Sequence, residues 1–124
     1  MRIPALLVLL AAAVANSACA QTRVPLTDAA LRAYAASPVD KAATMGQTVS
    51  LGTHAGTPVV VEFPCADVCP QYTVRIIHYQ LAPGTDCAAV GGVEKKVLVP
   101  VAITVLPRTF CVPKVLADGG YETR

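Results

Sequence analysis

Four cysteines in the second half of the chain, Cys65, Cys69, Cys87 and Cys111, are the side chains best equipped for chemistry. Two histidines, His54 and His78, and Met45 are the natural helpers. Thiolates with imidazole or thioether support suit a soft metal such as Cu(I), and a reactive thiol pair suits disulfide exchange. The first reading needs no cofactor; in the alternative the metal set would be Cys65, Cys69 and His54, with copper as the cofactor. Cys65 and Cys69 are separated by three residues, and no second close pair follows, so the spacing is not a zinc signature. His78 falls among strand-forming residues on the side of Val74 and Ile76, which suits a half-buried, hydrogen-bonded ring. His54 lies in the stretch Gly52–Pro58, which reads as an exposed, Gly-rich loop.

The cysteines acquire a context from the start of the chain. Arg2 is a minimal positive region, and Ala5 to Ala15 contains no polar residue. Ala18-Cys19-Ala20 offers small residues at a cleavage point before Gln21. This is the pattern of a secretory signal over residues 1–20, too short to span a bilayer. Cys19 supports a second export route. Asn16-Ser17-Ala18-Cys19 has the small residues and the Cys of a bacterial lipoprotein signal but not its aliphatic position, so lipidation at Cys19 is the alternative. Either route leads to periplasm, envelope or medium.

Removing 20 residues changes the composition. The whole chain has 124 residues, 54% of them hydrophobic, with a net charge of +2. The first 20 hold 16 of the apolar residues, and what remains has an ordinary globular content. Its charge falls to about +1, which argues against a basic nucleic-acid or anionic-lipid surface. No later segment is apolar and long enough for a transmembrane span. Four cysteines also remain, an even number, and in a small exported chain that is first a disulfide framework. The pairing Cys65–Cys69 with Cys87–Cys111 is preferred because the first pair is local. It conflicts with a simple hairpin of 72–81 on 93–106, which would hold Cys87 and Cys111 about 30 Å apart at ~3.3 Å per residue.

Cys65-Ala66-Asp67-Val68-Cys69-Pro70 follows a hydrophobic strand. It resembles the Cys-Pro-Asp-Val-Cys-Pro motif of the Sco family of copper-delivery and thiol-redox proteins, which have a thioredoxin-like fold. Five of the six positions match, with Ala66 at the family's Pro. The resemblance implies copper or redox chemistry at Cys65 and Cys69. It covers six residues. The family continues into a helix, whereas Gln71 to Ile77 has strand character, and no His follows His78 to supply the family's distant ligand.

Other activities lack their residues. Ser37 and Ser50 are the only serines after the signal, and there is no Gly-x-Ser-x-Gly elbow. Glu62 stands among valines and is expected to face solvent, with a buried general base as the alternative. Gly91-Gly92 reads as a turn, and Lys95-Lys96 as a solvated strand start.

The elements that must position these groups are mainly β. A short helix is expected over Thr27–Ala36, capped by Thr27 and helped by Asp28, with Leu26 and Leu31 as a hydrophobic staple. Ser37-Pro38 then suggests a second helical turn ending at Gly46. Strands are expected at Thr48–Leu51, Val59–Phe63, Tyr72–Leu81, along the alternation Val97, Val99, Val101, Ile103, Val105, and at Phe110–Leu116. Pro100 places the long strand at an edge or a bulge.

The domains follow: a signal over 1–20, an N-terminal helical segment over 21–46, a small antiparallel β sheet or sandwich over 47–116 braced by disulfides, and a tail over 117–124. The function expected is a non-catalytic binding or structural role in the bacterial envelope, with a protein partner reached through a sheet edge. The alternative is a periplasmic thiol-redox or copper-handling protein using Cys65 and Cys69.

Overall fold

The structure is a computed structural model and describes residues 24–39, 46–64, 74–101 and 104–123. Cys19, Met45, Cys65 and Cys69 lie outside the described residues, as does most of the second helical turn expected before Gly46.

Helix α1 spans Asp28–Ala36. Thr27 Oγ1 accepts from the Ala30 N–H at 3.0 Å, as its position before the helix requires, and Asp28 stands at the positive end of the helix dipole. Leu31 is completely buried and Leu26 packs on the same core. Ser37 is the residue that follows this helix. It closes α1, its N–H bonding to the Tyr34 carbonyl at 3.0 Å.

Strands β1 (Thr48–His54) and β2 (Thr57–Glu62) form a hairpin. The stretch expected to be a loop is therefore mostly strand. The turn is only Ala55-Gly56, both with positive φ (51° and 83°), the combination that matches the twist of paired strands. Strand β3 (Arg75–Tyr79) pairs antiparallel with β2, and β6 (Glu122–Thr123) with β3, so the four-stranded order is β1-β2-β3-β6. The tail thus returns to the sheet through Glu122 and Thr123, and Ile77 N–H bonds to the Tyr121 carbonyl at 2.9 Å.

The long alternating run is not one strand. β4 (Gly92–Val101) and β5 (Thr104–Pro113) form a separate two-stranded ribbon that reverses between Val101 and Thr104. The alternation continues across the reversal because two residues intervene, so the periodicity alone does not reveal the turn. Proline explains the ribbon's phase. The pairs Gly92↔Pro113, Leu98↔Pro107 and Pro100↔Val105 all share one parity along the ladder. Proline has no N–H, so these are the positions where paired residues do not exchange hydrogen bonds. The nitrogens of Pro100 and Pro107 therefore point away from the partner strand.

β3 is the centre of the packing. One face of the sheet, with Val59, Val61, Ile77 and Tyr79, packs under Leu31 of α1, Leu116 and the Cys87–Cys111 pair. The other face, with Ile76 and neighbouring Val74, packs on Val97, Val99, Phe110 and Val112 of the ribbon. Each such side chain removed from water contributes about 1.5–3 kcal/mol. Arg75, 2% exposed, reaches the end of α1. Its guanidinium donates to the Ala35 carbonyl at 2.9 Å and to Ser37 Oγ at 3.2 Å, and lies 4.9 Å over the Tyr34 ring. A cation there complements the negative end of the helix.

Cys87 and Cys111 form a disulfide, with Cα atoms 5.6 Å apart. The hairpin at 101–104 removes the conflict in the expected pairing. Because β5 runs back along β4, Cys111 stands opposite Glu94, beside the short 3-10 helix Cys87–Val90 that leads into β4. Gly92 makes room: a Cβ there would collide with Cys111 Sγ and come within 2.9 Å of Cys87 Sγ. The fold is mainly β, antiparallel and disulfide-braced, and no helix among the described residues is long and apolar enough to cross a membrane.

Candidate functional site

A cleft of about 380 Å3 opens between the end of β3, the turn leading to Cys87, and β5. That size suits a small ligand. The disulfide forms part of its wall, with Leu81, Tyr79 and Phe110 supplying apolar surface and Thr85 and Thr109 supplying hydroxyls. Its ionisable groups are His78, Asp86, Glu94 and Arg108.

Glu62 organises one side. It pairs across the sheet with Ile76, which brings its carboxylate diagonally to His78 on β3. His78 Nε2 donates to Glu62 Oε1 at 3.1 Å, and Arg108 of β5 donates to Glu62 Oε2 at 2.5 Å. The expectation of a solvent-facing Glu62 is corrected: its side chain is only 17% exposed, because the ribbon covers that face. The hydrogen bond from His78 lowers its pKa most; burial opposes, and Arg108 adds a hydrogen bond and its charge. The balance brings Glu62 from 4.5 to about 2. Phe110 underlies the group, with the Arg108 guanidinium 4.7 Å over its ring and the His78 ring 4.8 Å away. His78 Nδ1 faces the Tyr79 carbonyl at 3.0 Å. His78 is thus the half-buried, bonded residue that its strand position suggested.

His54 belongs to a second cluster. Its Nε2 donates to Asp28 Oδ1 at 2.6 Å, and its Nδ1 accepts from the Tyr79 hydroxyl at 2.7 Å. The ring is 17% exposed and held at both nitrogens, so it ties α1 to β1 and β3 and is not the exposed loop residue expected. The difference has a local cause: the strand continues through His54, which directs the ring onto the Tyr79 side of the sheet. Burial first, and then the Asp28 charge, raises the Tyr79 hydroxyl pKa above its usual 10.

The cleft and both histidine clusters depend on pairings distant in sequence. Sequence reasoning missed Arg108, Phe110, Asp86, Glu94, Asp28 and Tyr79 as site residues. An oppositely charged Glu62 and Arg108 in separate strands was the available signal, but it specifies no register. Among the described residues no three His, Cys, Asp or Glu side chains gather as a metal site. Cys65 and Cys69, expected to bind copper with His54 or to pair with each other, lie outside those residues.

No family model, curated protein or solved structure matches the chain.

Proposed function

We propose that this is an exported, disulfide-braced binding protein of the bacterial envelope or its surroundings, non-catalytic, which takes a small ligand in the cleft beside Cys87–Cys111. The cleft carries this reading. It is of ligand size, part of its wall is cross-linked, and it mixes apolar surface with a few polar groups. Its imidazole and its guanidinium are engaged in holding the fold: His78 and Arg108 both serve Glu62. That arrangement makes a shaped and charged receptacle.

Export is supported by the signal pattern over residues 1–20, and a disulfide is at home in an oxidising compartment. The test has two parts. The mass of the protein recovered outside the cytoplasm should begin at Gln21, with Cys87 and Cys111 protected from alkylation until reduction. A small-molecule screen by backbone amide shifts should then give hits that cluster on Thr85, Cys87, Thr109 and Cys111 without turnover. A chain retained in the cytoplasm with free thiols, or hits clustering elsewhere, would sink the proposal.

A further inference from the structure

Charge distribution in the cleft identifies the kind of ligand. Arg108 and His78 are both directed back onto Glu62, so neither offers an uncompensated positive charge. The two acids are placed differently. Asp86 is exposed and uses one oxygen weakly, accepting from the Ala88 N–H at 3.4 Å. Glu94, opposite Cys111 in the ribbon, is exposed and has no ion-pair partner among the described residues. Lys96 shares its face of β4, but no ion pair joins the two. The cleft wall itself carries two carboxylates, Asp86 and Glu94, and Glu62, bonded to Arg108 and His78 outside that wall, makes three against these two groups. Even with His78 charged, the sum is negative. The disulfide, Leu81 and Thr109 line the same cleft as the two acids, a wall that offers apolar surface to a stem beside polar groups.

We propose that the cleft receives a small organic cation, an ammonium or guanidinium on a short apolar stem, held by Asp86 and Glu94 with the stem against Leu81 and Cys87–Cys111. This rests on the reading of the cleft as the ligand site. A free carboxylate contributes a charge-assisted hydrogen bond to such a cation, and the apolar wall beside it takes the stem. An anionic ligand would face both acids with Arg108 already committed to Glu62.

The oxidised protein is titrated with agmatine, a cation at both ends, and with glutarate and pentane-1,5-diol as anionic and neutral molecules of similar length. Backbone amide shifts of Thr85, Cys87, Thr109 and Cys111 are followed. Agmatine should shift these amides, and Glu94→Gln should weaken its binding about tenfold. Asp86→Asn, which keeps a helix-capping side chain, should weaken it less, and added salt should weaken it in the parent protein. Unchanged unfolding midpoints in both variants show that the fold is intact. Shifts with glutarate or the diol but not with agmatine overturn the cation proposal and leave the cleft as a ligand site. Agmatine binding indifferent to Glu94→Gln and Asp86→Asn also overturns it. Silence of these amides to all three probes overturns this proposal; if the library hits also lie elsewhere, the cleft reading falls with it.

Discussion

Arg108 on β5 and Glu62 on β2 are joined by two hydrogen bonds between the ribbon and the four-stranded sheet. They are 46 residues apart in sequence. The pair, completed by His78, ties together the two layers that enclose Ile76, Val97 and Phe110.

Glu62 gives the fold an acid limit. Its pKa falls from 4.5 when unfolded to about 2 when folded, so its contribution is fully present above pH 4.5 and is lost as pH falls through 2. Arg108 is 47% exposed, and solvent screening holds the contribution to about 1–2 kcal/mol. Urea unfolding at pH 6 and pH 2.5 should show that loss in the parent protein and a smaller one in Glu62→Gln. Equal pH dependence would contradict it.

The disulfide should be a major brace. The bridge closes a separation of 24 residues, and its removal by Cys87→Ser with Cys111→Ser should cost about 2–4 kcal/mol. Chemical denaturation with and without reductant measures this, the parent losing more stability on reduction than the double variant.

Gly92 is required where it stands. Gly92→Ala puts a methyl against both sulfurs and the Tyr79 ring, 3.2 Å away, and should destabilise by about 1–3 kcal/mol through overpacking. At Gly91 a Cβ would meet nothing, but its φ of 74° favours glycine, so Gly91→Asn should be the milder change. A thermal melt of the two variants compares them.

The Asp28–His54–Tyr79 chain should set an alkaline limit. The raised hydroxyl pKa of Tyr79 means that its contribution is present below pH 10 and is lost as pH rises through the folded value. Ultraviolet titration should show one tyrosine ionising late. Asp28→Asn should bring that transition earlier, since the nearby charge is removed. Tyr79→Phe should abolish it and cost about 1–3 kcal/mol, because the His54 Nδ1 loses its donor.

Local chemistry in the chain determined a good deal. Thr27 capped its helix because a hydroxyl before the first turn meets an unpaired N–H. The β-branched runs became strands, and the mainly-β class followed from them. Cys87 and Cys111 paired, as an even cysteine set in a small chain suggests. The tertiary structure decided what depends on register and on reversal. A period of two continues across the reversal between Val101 and Thr104, so Val97 to Val105 looked like one strand although the chain turns back there and brings Cys111 to Cys87. Glu62 looked exposed because alternation tells which residues share a face, not which layer covers that face. The partners of His54 and the walls of the cleft come from segments far apart in the chain, and only their packing makes them neighbours.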